Sequence, residues 1–262
     1  MIRASVPGLV LALLIVAALA APILSPYPPD RIDLAHRREP PSRAHVFGTD
    51  DLGRDVLARV LYGARVSLAV GLLAAAVAGA SGVALGGIAG YAGGAIDNVL
   101  MRATDAMLAV PRLPLLMIAA AVWQPSVPQL VLLIGLASWM ETARVTRAEL
   151  LSLRARDFAA AARALGAGHV RLIAAHLLPN AAPAVIVAVS LTVGRSILLE
   201  SALSFFGVGV QPPDASWGNM LYQAQSALST EPWLALFPGL FIFVTTLCVN
   251  LAGDRESLVR SR

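Results

Sequence analysis

No lysine occurs in the 262 residues; all 20 basic side chains are arginine. That removes the phosphate-gripping lysine of a P-loop and any Schiff-base lysine. The single cysteine, Cys248, excludes a disulfide within the chain and cysteine-based metal sites. Charge is scarce too, at 14% of residues, against about 25% in soluble domains. Aromatic residues make up 6% and do not cluster with the arginines. Despite a pI near 10.0, the sequence therefore carries no nucleic-acid surface pattern. The histidines His36, His45, His169 and His176 are scattered, and neither HExxH nor GxSxG occurs. No catalytic set and no metal site is expected.

What is present is apolar. Hydrophobic residues make up 57% and the mean hydropathy is +0.72. A bilayer core takes about 20 apolar residues per helix. Charge-free runs lie at 4–29, 66–96 and 113–140, the last interrupted by Pro125 and Pro128. With an outer turn at 123–126, the expectation is an all-α membrane protein of six transmembrane helices, about 7–25, 66–91, 104–123, 128–146, 182–206 and 233–252. Arg3, an apolar stretch and Ala18-Leu19-Ala20 imitate a cleaved signal peptide. The apolar stretch runs on to Leu24, longer than a usual signal core, so an uncleaved first helix is preferred. Either reading places residues 26–65 outside.

Orientation follows from arginine bias. With both termini cytoplasmic, the inner segments hold twelve arginines and the two later outer loops none. The first outer loop breaks the rule, with seven arginines against six acids.

The second span carries small residues at four-residue spacing: Ala74, Ala78, Gly82, Gly86 and Gly90. They share one helix face, where another helix can approach closely. Residues 147–181, RAELLSLRARDFAAAARALGAGHVRLIAAHLLPNA, are too polar to span and rich in helix formers. Gly166 and Gly168 suggest a turn and Pro179 a stop, giving helix, glycine turn, helix, proline break on the cytoplasmic side. A rigid elbow for a soluble partner and an amphipathic helix on the headgroups fit this pattern equally well.

Charges within spans are costly, about 2.5–3.5 kcal/mol each if lipid-facing at the bilayer centre. Arg195 and Glu200 stand in the fifth span and are expected to face the bundle interior, in a translocation-path or pairing role. They lie about 140° apart around the helix, so each needs its own partner. Arg102 and Asp105, at i, i+3, can pair at the inner end of the third span.

The inner segment resembles the EAA loop of bacterial ABC-importer permeases: Glu-Ala-Ala, three residues, Gly, later Leu-Pro. Here Ala160-Ala161-Ala162 is followed by Gly166 and by Leu178-Pro179. The glutamate position is Ala160, a departure. Residues 47–55 (FGTDDLGRD) and 62–68 (YGARVSL), with 200–213 (ESALSFFGVGVQPP) and 216–218 (SWG), look like the corresponding stretches of peptide and nickel permeases. The chain thus resembles the C-type permease subunit of dipeptide, oligopeptide and nickel importers over nearly its whole length. Arg195, where that family usually has a small residue, and the tail 255–262 depart from it.

The resemblance implies the type I importer permease fold in the bacterial inner membrane, with an N-terminal helix and periplasmic loop at 1–62, a transmembrane domain at 63–254 and a cytoplasmic tail at 255–262. It implies a companion permease subunit, two ATPase subunits that bind ATP and Mg, and a periplasmic binding protein; this chain itself binds no cofactor. The expected cargo is peptide, with nickel or another small solute as the alternative. The elbow would be the coupling helix, made by Asp157, Phe158, Ala160, Ala161, Ala162, Arg163, Leu165, Gly166 and Ala167, with Phe158 and Leu165 as apolar anchors. A self-sufficient secondary transporter is the rival class. Such folds often carry inverted repeats, and no convincing repeat links the two halves.

Overall fold

The computed structural model describes residues 6–260, with side chains through Gly253; the expectations for Arg3 and for the tail side chains at 255–262 lie outside the described residues. The fold is all helical. In chain order the helices are α1 (Val6–Leu19), α2 (Val56–Ala92), α3 (Gly94–Ala109), α4 (Arg112–Trp123), α5 (Val127–Leu136), α6 (Met140–Arg154), α7 (Asp157–Ala164), α8 (Leu178–Phe205), α9 (Trp217–Ala224) and α10 (Trp233–Arg260). By length and composition, Val56–Ala92, His169–Phe205 and Trp233–Gly253 can each cross a membrane. The pair α3–α4, bent by 81°, makes a fourth if it counts as one span, while α1 and α5 are apolar but shorter.

α2 is the spine. It packs on α6, α8, α5 and α1. At 37 residues it is about 55 Å long, well beyond a hydrocarbon core of about 30 Å. It begins ten residues before the expected position 66. The reason is a cap: the Asp55 carboxylate accepts from the Ala58 N–H at 2.7 Å, and the first turns are buried under residues 26–55 and α9 instead of lipid. Arg59 in those turns is 1% exposed. A stretch without charge marks where a helix can meet lipid, not where it starts.

Three further boundaries differ from expectation. The third span is two helices, because Pro111 lacks an N–H and holds Val110 extended at φ −79°, ψ 127°. The fourth breaks at 137–139, where the Ser138 N–H bonds the Gly135 carbonyl at 3.0 Å. Pro179 does not stop the helix. Residues Leu172–Leu177 form a π-helical stretch that leads directly into α8, and the wider pairing accommodates the missing proline donor. The turn expected at 123–126 is present, with Gln124 left-handed at φ 45° and α5 starting at Val127.

Small residues set the helix spacing. Ideal Cβ atoms on Gly82, Gly86 and Gly90 would lie within 2.2–2.8 Å of the carbonyl oxygens of Trp139, Ala143 and Arg147 respectively. This stripe of α2 therefore lies backbone to backbone on the start of α6. Around it, Val70, Leu116, Leu130, Ile134 and Leu203 fill the middle of the bundle. Leu150, Leu153, Leu172 and Leu177 pack at one end, and Val56, Val60, Met220 and Leu234 at the other.

The arginine-rich loop packs at the second of these ends and has its own ion network. Asp50 Oδ2 accepts from Arg54 Nε at 2.6 Å and lies 3.6 Å from Arg59 Nε. Arg38 reaches Glu231 at 3.5 Å, and Phe47 stacks on Phe237. Much of the charge that breaks the arginine bias is thus paired within a folded cap.

Candidate functional site

Two places carry the residues singled out by sequence. The first is the elbow. After α6 the chain turns at Ala155 and Arg156 and forms α7. Gly166 then takes φ +84°, a left-handed conformation that glycine adopts without strain, and the helical turn at His169–Arg171 starts the next element. Ala159 and Ala162 face inward and pack with Leu150, Leu153, Leu172 and Leu177. The opposite face is open: Ala160, Ala161, Arg163 and Gly166 are exposed, with Phe158 at 36% and Leu165 at 89%. Asp157 is exposed and Ala167 half-buried.

Polar clamps brace the elbow against α2 and α3. Arg147 grips Asp97 through both carboxylate oxygens. Arg154 donates to the Tyr91 carbonyl, and the Tyr91 hydroxyl pairs with His169. Asp105 pairs with Arg144 on α6, not with Arg102 as expected; the bend after α3 lays it alongside α6. Val170, 82% exposed, extends the apolar face and was not singled out by sequence. Its signal was its place just after the Gly168 turn.

The second place is the intramembrane charge, and here the two expected residues separate. Glu200 is fully buried. Its carboxylate accepts from Ser67 Oγ at 3.0 Å and Ser204 Oγ at 2.8 Å. Ser67 Oγ in turn accepts from the Trp217 N–H at 3.2 Å, and Trp217 Nε1 donates to the Val60 carbonyl at 3.1 Å. Glu200 thereby ties α2, α8 and α9 together.

Arg195 does not face the packed interior. Its side chain is 53% exposed, and its Nη1 lies 3.5 Å from Glu141 Oε1. The same oxygen accepts from Arg112 Nη2 at 2.7 Å. The three charges line a cavity of about 650 Å³, with Met107, Leu108 and Leu198 among its apolar walls. Glu141 and Arg112 were missed as partners. Arg112 opens α4 and Glu141 lies in the first turn of α6, so the two breaks bring them together. The detectable signal was a charge at each end of the 113–140 run.

Among the described residues, no group of three or more His, Cys, Asp or Glu could hold a metal ion.

Residues 82–255 match the family model "Binding-protein-dependent transport system inner membrane component". Residues 4–41 match "N-terminal TM domain of oligopeptide transport permease C". A Brucella suis protein named as a peptide permease is 41% identical over 255 residues, covering 96% of this chain and 84% of that protein. The oligopeptide transport system permease protein OppC of Bacillus subtilis is 37% identical over 246 residues, covering 94% and 81%. The crystal structure of an amino acid ABC transporter with histidines shares the fold, with TM-score 0.54 at 19% identity over 78% of this chain and 94% of that one. The chain therefore belongs to the inner-membrane components of binding-protein-dependent ABC importers, in the oligopeptide permease C group, and is a multi-pass permease subunit of such an importer.

Proposed function

We propose that this subunit forms one half of the path by which an ATP-driven importer carries dipeptides or oligopeptides across the bacterial inner membrane. A companion permease supplies the other half, two ATPase subunits lie on the cytoplasmic side, and a periplasmic binding protein delivers the cargo. The peptide cargo is supported by relatives named as peptide and oligopeptide permeases. In this reading the chain crosses six times: α1, α2, the bent pair α3–α4, the broken pair α5–α6, α8 and α10. Both termini and the elbow are cytoplasmic. Residues 1–62 add a helix and periplasmic cap to a transport domain at 63–254, and 255–262 form a cytoplasmic tail.

The observation that carries the coupling role is the two-sided elbow. α7 buries Ala159 and Ala162 while Phe158 and Leu165 remain at the surface. Exposed apolar groups clustered on a rigid braced element mark a partner site. ATP closure of the ATPase pair would move the elbow and shift the bundle between inward-open and outward-open populations, in proportion to the difference in ATP affinity between the two states.

The test is reconstitution of the four-subunit complex in liposomes with the loaded binding protein. ATP-dependent peptide uptake is expected. Gly166→Val should leave the protein in the membrane and ATP hydrolysis running while uptake falls; normal uptake would refute the coupling role. Nickel uptake in place of peptide would overturn the cargo, and ATP-independent uptake by the chain alone would favour a secondary transporter.

A further inference from the structure

We infer that the Arg112–Glu141–Arg195 cluster is a way-station for the carboxylate of a passing peptide, with Arg195 as the contact residue. The inference rests on the peptide reading above.

Charge comes first. Two guanidiniums share one carboxylate oxygen, at 2.7 Å from Arg112 and 3.5 Å from Arg195. The remaining residues lining the cavity are uncharged, so the site carries a formal surplus of one positive charge. A charge at membrane depth is tolerated where it is paired or faces a water-filled cavity. Arg112 meets the first condition, with its side chain 21% exposed; Arg195, at 53%, opens onto the cavity and requires the second.

Backbone supplies the second argument. Two helices break beside the cluster: α3–α4 at Val110 and Pro111, which line the cavity, and α5–α6 just before Glu141. Non-helical backbone within a membrane is tolerated only against protein or a water-filled cavity, and broken helices border substrate sites in transporters. The cavity, about 650 Å³, falls in the range of small-ligand sites, about 300–1,000 Å³. Its Met107, Leu108 and Leu198 walls suit peptide side chains without selecting among them.

The geometry divides the work. The short Arg112–Glu141 pair is the fixed part. The long, half-open Arg195–Glu141 contact is the exchangeable part, able to release Arg195 to an incoming carboxylate while Glu141 stays neutralised by Arg112. Guanidinium matches carboxylate in a two-pronged geometry. Glu141 competes for Arg195 and so keeps the complex weak, as a transport path needs, since cargo must leave as readily as it enters. Glu141 is a positioning residue here.

The experiment uses the reconstituted complex with its binding protein. A hydrophobic tripeptide and its C-terminal amide are each supplied preloaded to equal occupancy. Arg195→Gln should slow uptake of the free acid about tenfold, the scale of one lost charge-assisted hydrogen bond, and the amide less than about twofold. Arg195→Lys, which keeps the charge, should retain most free-acid uptake. Equal slowing of both peptides, or of neither, overturns the inference. So does reduced co-purification of the companion subunit with Arg195→Gln, which would assign Arg195 to an acid across the subunit interface. Those outcomes leave the peptide reading intact. If the unaltered complex imports neither form, the peptide reading fails and this inference fails with it.

Discussion

A Cβ placed on Gly86 would lie 2.2 Å from the carbonyl oxygen of Ala143. The obstacle is backbone, so no rotamer change can relieve it. One residue on, a Cβ at Gly87 meets only Leu150 Cδ2 at 3.9 Å. Gly86→Ala should therefore destabilise the bundle by about 1–3 kcal/mol, the usual cost of overpacking. Gly87→Ala should be neutral or slightly stabilising, because alanine is the better helix former. Thermal unfolding in detergent separates the two. Equal melting temperatures would mean the α2–α6 seam is looser than this geometry requires.

The elbow makes the opposite kind of prediction. Leu165 is 89% exposed and Phe158 36%, so Leu165→Ser removes little packing and should change stability by less than about 0.5 kcal/mol. If the open face seats on an ATPase subunit, the same substitution should sharply reduce ATPase co-purification with the permease pair. Ala162→Asp, on the packed face, should instead damage the elbow itself. Undiminished ATPase recovery with Leu165→Ser would remove Leu165 from the docking surface.

Glu200 has no solvent exposure, and three serine hydroxyls donate to it, Ser67 and Ser204 closely and Ser201 at 3.5 Å. Glu200→Ala leaves Ser67 and Ser204 without their acceptor, a loss of about 1–3 kcal/mol. Glu200→Gln keeps one of the two acceptor oxygens, so only one of these two serines retains its partner and about half of that loss should be recovered. The readout is unfolding in detergent together with proteolysis of the 206–216 segment, since Ser204 Oγ also accepts from the Val210 N–H at 3.0 Å. A glutamine variant no better than alanine would show that the charge matters more than the hydrogen bonds.

Periodicity and punctuation were legible in the sequence. The four-residue spacing of small residues located the face that meets α6, and Gly166 located the reversal at the elbow. Both are local properties of the chain. The breaks at 110–111 and 137–139 were not legible as such, because an apolar run gives the same composition whether or not its helix is interrupted. Arg112 and Glu141 consequently read as unrelated charges in two separate expected spans, 104–123 and 128–146. Only the 81° bend between α3 and α4 and the turn before α6 place them together with Arg195. Pro179 misled for a related reason: a proline removes one donor, and a π-helical turn before it can absorb the loss.

The cap over the start of α2 gives the last prediction. Arg54 and Arg59 are 7% and 1% exposed, and Asp50 is the acid nearest both, at 2.6 and 3.6 Å. Its other oxygen accepts the backbone N–H groups of Leu52 and Arg54, each at 2.9 Å. Asp50→Ala therefore strips two buried guanidiniums of their main counter-charge and two backbone donors of their acceptor. Removing one partner of a buried pair costs about 3–5 kcal/mol, so the cap should open and residues 26–55 should become susceptible to protease. Asp50→Asn restores the backbone acceptor but not the charge and should fall between. Asp51 lies 3.7 Å from Arg54 with its side chain 48% exposed, so Asp51→Ala should cost less than about 1 kcal/mol. Raised salt should not mimic Asp50→Ala, because buried pairs are screened far less than exposed ones. If salt alone opened the cap, the network would be a surface effect, and the helical turns from Val56 to Arg65 would owe their stability to Trp217 and Met220 instead.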